Sequence, residues 1–239
     1  MFIGMGIPIP DLANLPGVSR PGGGGSSGPS VDQITNQYSF KFDRVAATYM
    51  TTGINIAADS DFSVSFWVKG DTAPSTVYPG IFPFAIGSGS NSTLGRMHPS
   101  GGYKFMIQST DNTGANFGNR IININIYDGN WYHIVFTRDN ASGQVFAYVD
   151  GVNVEWGSAW GSTVAPSITL NPSGDLYFGT AAANTSYAWD GWLDEFALFD
   201  RTLTKKEIEV IYDATNNGMT ADLSTLSTGA PTAWYRMGD

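Results

Sequence analysis

An all-β, two-sheet antiparallel sandwich is the fold class this sequence predicts, and three observations carry it. First, residues 131–151, WYHIVFTRDNASGQVFAYVDG, read as two strands around the polar turn Asp139-Asn140-Ala141-Ser142-Gly143, closing on Asp150-Gly151. Tyr132, Ile134 and Phe136 point to one face of the first strand; Trp131, His133 and Val135 point to the other. A hairpin with two apolar faces must be covered on both. Second, period-two alternation recurs from about residue 38 onward. Third, Gly, Asn and Ser separate the apolar runs throughout, which is turn chemistry.

The elements follow in order. Residues 1–30 are an extended arm. Pro8, Pro10, Pro16, Pro21 and Pro29 and the run Gly22–Gly25 leave it no helix or ladder of its own. Phe2, Ile3, Met5, Ile7, Ile9 and Leu12 can instead bury apolar area against a partner, with the glycine run as a tether. The body spans 31–213. Phe62, Val64, Phe66 and Val68 alternate with Ser63, Ser65, Trp67 and Lys69; Ile122, Ile124 and Ile126 alternate with Ile121, Asn123 and Asn125. Further strands are predicted at 38–42, 81–87, 103–109, 152–156, 175–179 and 192–199. One helix is predicted over 205–213, packing on an end of the sandwich. Thr204 and Glu207 form a capping box, and Ile208, Ile211 and Tyr212 an apolar face. Residues 214–239 read as a C-terminal extension, mostly loop, with a possible last strand in AWYRM.

Composition bounds the function. The chain has 239 residues, 42% of them hydrophobic, enough for one β-domain with a full core. A net charge of −9 argues against nucleic-acid binding, which needs clustered Lys and Arg. With no cysteine, disulfides, thiolate metal sites and cysteine nucleophiles are excluded. The opening MFIGMGIPIP has no positive charge before its apolar residues and does not read as a signal peptide. No apolar run is long enough for membrane insertion.

The segments YSFKFD, FSVSFWVKG, DGNWYHIVFTRD, GQVFAYVDGV, LYFG and GWLDEFALFDRTLTKKEIEVIYD, in this order over roughly 38–213, resemble the laminin-G-like, concanavalin-A-like jelly-roll superfamily. The last segment is the most specific, with Gly-x-Leu-Asp-Glu, an Arg-x-Leu-Thr turn and a short helix. The arm and the terminal AWYRMGD resemble phage and marine-virus structural proteins that carry this module. The resemblance implies a jelly roll with a carbohydrate- or protein-binding role, and it includes glycosidases.

Catalysis is then a question for the residues. Hydrolysis of a glycoside needs two carboxyls across a cleft. Asp190, Asp194, Glu195 and Asp200 depart from the alternating acids of the superfamily's catalytic members, and Asp194 and Glu195, being adjacent, should face opposite ways. The chain is expected not to be an enzyme. The resemblance also implies a structural Ca²⁺, for which Asp194 carries over, with Asp43 as a second candidate; a hydrogen-bonded aspartate pinning a loop is the alternative. His133 is expected to pack within the sheet, and His98 is expected in a loop, Arg96-Met97-His98-Pro99, with no partner nearby in sequence. No serine–histidine–acid set can be argued. Trp156, Trp160, Tyr187 and Trp189 fall in polar stretches between strands, where sugar-stacking aromatics lie; caps or subunit contacts are the alternative.

Two functions remain. One is a non-enzymatic virion structural protein, a capsid decoration or cement protein anchored by its arm to other capsid or tail proteins and forming a homo-oligomer. The other is a carbohydrate- or receptor-binding tail-fibre or adhesion module that contacts cell-surface glycans. Both place the protein on the virion, assembled in the host cytoplasm.

Overall fold

The structure is a computed structural model and describes residues 28–57, 60–71, 84–86, 93–98, 104–110, 117–142, 144–154, 176–180, 188–215 and 218–237. The arm residues Phe2, Ile3, Met5, Ile7, Ile9 and Leu12 lie outside the described residues. In chain order the strands begin with β1 (Asp32–Thr35), β2 (Phe40–Phe42), β3 (Met50–Thr51), β4 (Phe62–Gly70) and β5 (Phe84–Ile86). They continue with β6 (Thr93–His98), β7 (Lys104–Thr110), β8 (Phe117–Asn125), β9 (Tyr132–Asp139) and β10 (Gln144–Val149). Then come β11 (Val152–Asn153), β12 (Leu176–Phe178), β13 (Gly191–Phe199), the helix α1 (Lys205–Asp213), β14 (Met219–Asp222) and β15 (Ala233–Tyr235).

Apart from β1 and β14, these strands form two antiparallel sheets. One runs β11-β10-β9-β4-β13-β15, with β2 also paired to β13. The other runs β3-β12-β5-β6-β7-β8. The β9–β10 hairpin forms as its sequence requires: the Asp139 carboxylate accepts from the backbone N–H of Ala141 and the hydroxyl of Ser142, which holds the turn. Asp150 and Gly151, at φ 51° and 75°, make the tight turn into β11.

Side-chain alternation explains why the seven-stranded sheet is covered on both faces. Its inner face gives Phe66, Ile134, Phe136, Leu193 and Phe196 to the core between the sheets. The rings of Phe178 and Phe196, from opposite sheets, meet edge to face at 4.5 Å. Its outer face gives Val135, Tyr148, Ala197 and Phe199 to a second core with Ile208, Ile211, Leu223 and Leu226. The helix therefore lies on the outer face, not on an end of the sandwich: the apolar outer residues of β9, β10 and β13 need that cover. Its capping box is formed as predicted, with the Thr204 hydroxyl accepting from the Glu207 N–H and the Glu207 carboxylate accepting from the Thr204 N–H. Glu207 also accepts from Arg201 and Thr228. Burial alone would raise its pKa; the bonds from Thr228, Thr204 and Arg201 outweigh it and hold the carboxyl low.

The chain after 213 is not an appendage. β14 pairs with β1 as a separate two-stranded ribbon, β15 extends the seven-stranded sheet, and Met237 reaches the inner core. His98 is the last residue of β6, paired with Lys104, rather than part of a loop. The strand predicted at 152–156 is confined to Val152–Asn153 among the described residues.

Candidate functional site

The outer face of the seven-stranded sheet carries the polar chemistry of the molecule, in rows set by register. One row is Asp194, Trp67 and His133; another is Ala197, Ser65 and Val135. Between Asp194 and Ala197 the register shifts, because β13 has one more residue than β4 there. The extra residue is Glu195, held at φ 50°. The bulge undoes the strict alternation expected of this strand. Phe196 and Leu198 turn to the inner core with Leu193, and the Glu195 carboxylate comes to the outer side with Asp194.

Both acids are buried and engaged. Asp194 is 1% exposed; Oδ2 accepts from the Asn36 side-chain amide at 3.0 Å and Oδ1 from the Glu195 N–H at 2.9 Å. Glu195 is 3% exposed and accepts from the Trp234 indole at 2.6 Å, with Arg236 Nε at 3.5 Å from Oε1. Beside them the Ser65 hydroxyl and His133 Nε2 stand 2.9 Å apart, a contact the sequence did not reveal. His133 Nδ1 has no hydrogen-bond partner among the described residues, and Asp150 accepts from the His133 backbone N–H rather than from its ring. Tyr212 stacks over Trp67 and His133 from the helix. The pair lines a cavity of about 10 Å³, room for the centre of a single water. A serine and a histidine without an orienting acid and sealed under a helix form no triad. Burial pushes the His133 pKa down to about 3, so the ring is neutral at physiological pH.

The two residues considered for a cation, Asp43 and Asp194, each make contacts within the protein. Asp43 caps its own turn, accepting from the Val45 and Ala46 N–H groups, which lower its pKa. No group of three or more His, Asp or Glu that could hold a metal ion occurs among the described residues. Asp194 ties β13 to Asn36, just after β1. Of the four aromatics expected at a sugar site, Trp156, Trp160 and Tyr187 lie outside the described residues. Trp189 is a correction: it is fully buried in the inner core beside Phe42, with ring centroids 5.8 Å apart, and offers no face to a sugar.

One row of the outer face lies apart from the second core among the described residues. Trp192 of β13 pairs with Lys41 of β2 on one side and Lys69 of β4 on the other. Both ammonium groups lie over its ring, at 4.8 Å and 5.4 Å from the centroid. Lys41 Nζ also contacts Asp71 Oδ2 at 2.5 Å. Asp190 lies next to this pair; burial and the Asp71 charge raise its pKa. Gly191 permits the close packing behind the row, since a Cβ there would stand 2.4 Å from the Lys69 carbonyl oxygen.

This geometry is that of a known family. The model of the laminin-G-type concanavalin A-like lectin/glucanase superfamily matches residues 44–209, well over half of the chain. The protein belongs to that superfamily. Similar solved structures include tailspike protein 2 of an Escherichia coli bacteriophage (TM-score 0.59, 12% identity, 87% of this chain and 29% of that one). The binding domain of Paraclostridial Mosquitocidal Protein 1 is also similar (TM-score 0.57, 14% identity, 77% and 45%). So is a carbohydrate-binding protein of Bacteroides ovatus (TM-score 0.56, 14% identity, 88% and 53%). The chain thus spans at most about half the length of these structures, and at these identities the likeness is one of fold. The fold is of the lectin or binding-domain type. No curated protein matches the sequence.

Proposed function

We propose that this protein is a non-enzymatic virion component whose lectin-like body binds glycans and whose N-terminal arm attaches it to the particle. The observation that carries the non-enzymatic reading is the fate of Asp194 and Glu195. These are two of the four acids considered for a glycosidase's carboxyl pair, and both are buried in hydrogen bonds beneath the outer core. Asp190 remains near the surface beside Asp71 and Lys41, without an opposed acid across a cleft among the described residues. A rigid sandwich with a polar row on its outer face is a scaffold for recognition. The phage tailspike and the Bacteroides ovatus protein, named as carbohydrate binding, support the same reading by fold. The test is retention of the purified protein on a panel of immobilised polysaccharides, with reducing-end release measured on the same panel. Retention without release is expected. Release of new reducing ends that disappears in Asp190→Asn would overturn the non-enzymatic reading, and failure to bind any member would overturn the glycan reading.

The attachment rests on the arm's composition. A Gly/Pro arm costs on the order of 1 kcal/mol or more per residue to order, and only burial against another surface offsets that. Capsid or tail proteins are the partners this reading assigns to it.

A further inference from the structure

We propose that the row Lys41–Trp192–Lys69 is a subsite for an acidic sugar residue, one bearing a carboxylate or a sulfate. This rests on the glycan-binding reading above and names the ligand class and place.

Three observations carry it. Elsewhere, the outer-face rings Trp67 and His133 lie under Tyr212 of the helix. Trp192 is half-buried, and among the described residues its ring contacts are the two lysine head groups. Second, the cations converge. Lys69 sits in the centre of a sheet and has no carboxylate partner among the described residues, while Lys41 is held in place by Asp71. An unneutralised ammonium next to an indole complements an anion carried on a ring with an apolar face. The sugar's C–H groups pack against the indole once the Lys69 ammonium swings off the ring to donate to the acid group. Third, the flanking acids accept. Asp71 and Asp190 stand beside Lys41 and can take hydrogen bonds from sugar hydroxyls. An aromatic platform, a cation and acceptors within one row are the parts that orient a charged saccharide.

The charge of the whole chain makes the test selective. At net −9 the protein repels polyanions in general, so retention by an acidic glycan reports a local site. Affinity electrophoresis of the full chain would compare gels containing dextran, dextran sulfate or polygalacturonate. Slower migration is expected in polygalacturonate or dextran sulfate and not in dextran, and these two gels separate carboxylate from sulfate recognition. Trp192→Ala and Lys69→Gln should each weaken that retardation about tenfold. Lys69→Gln keeps the ring and the fold, so it decides the matter even if Trp192→Ala is poorly folded by circular dichroism. Lys205→Gln, on the helix, should leave retardation unchanged. Retardation by an acidic glycan that survives Lys69→Gln, or retardation by dextran alone, would overturn the subsite and leave the glycan-binding reading standing. No retention by any gel or on the wider polysaccharide panel would overturn both.

Discussion

At the scale of single residues, buried polar groups on the outer face should report themselves in stability. Asp194→Ala leaves the Asn36 amide and the Glu195 N–H without their acceptor, and should cost about 1–3 kcal/mol in urea unfolding. Because both Asp194 oxygens are already engaged by the protein, a chelator should leave the wild-type melting temperature unchanged; a fall would mean that this carboxylate holds a cation after all. His133 predicts an acid slope. Its native pKa lies near 3, below the unfolded value of about 6.5, so above that unfolded value both states are neutral and the ring adds no pH dependence. As pH falls, the unfolded chain takes the proton first and stability drops, by up to about 1.4 kcal/mol per pH unit. Urea midpoints between pH 6.5 and 5, above the range of most carboxylates, should decline in the wild type and flatten in His133→Gln. Equal slopes would show that the ring titrates freely in the native state. Little of this was legible beforehand. The sequence identified Asp194 and the packed His133, but the bulge at Glu195 reverses side-chain direction. The Trp192 row exists only once three strands far apart in sequence are placed in register.

At the scale of elements, the helix and its hairpin neighbour are local devices and can be tested separately. Thr204→Ala removes the cap and should lower stability by about 1 kcal/mol. Gly151→Ala forces a side chain into the left-handed region, and its Cβ would stand 3.2 Å from the Tyr212 ring. It should cost at least about 1 kcal/mol and loosen the helix from His133, visible as faster hydrogen exchange in 205–213; unchanged exchange would show that Tyr212 does not couple the two. Such elements were readable because their signals lie within a few residues: the Thr204–Glu207 box, the Asp139 turn and Asp150-Gly151. β1 and β14 were not. Asp-Gln-Ile-Thr has one apolar residue and Met-Thr-Ala-Asp alternates over only four, too short a run to mark a strand, and the two pair with each other.

At the scale of the whole molecule, the two ends of the body have different importance. Deleting residues 1–20 should leave the melting temperature nearly unchanged while abolishing incorporation into particles; wild-type occupancy by the truncated protein would assign attachment to the sandwich instead. Truncation after Asp213 should prevent cooperative folding, because Leu223, Leu226, Tyr235 and Met237 complete both cores. The sheet class and most strands were legible from alternation alone. The second core was not, since an outer face that is covered and one that meets solvent look alike until the covering element is placed.

The β1–β14 ribbon also determines how this body can be joined to others. Ser30 and Ser227 exchange backbone and side-chain hydrogen bonds, and Arg236 reaches the Thr35 carbonyl oxygen at 2.6 Å. Ser30 stands before the start of β1 and the Arg236 contact at its end, so a linker from 237 back to 30 must run the length of that strand, about 17 Å. With a linker of that length the body can be circularly permuted, because both of its ends are tied to the same strand. A permutant joined from 237 to 30 and reopened in the exposed turn between Ala141 and Ser142 should fold with both sheets intact, read as a single cooperative melt.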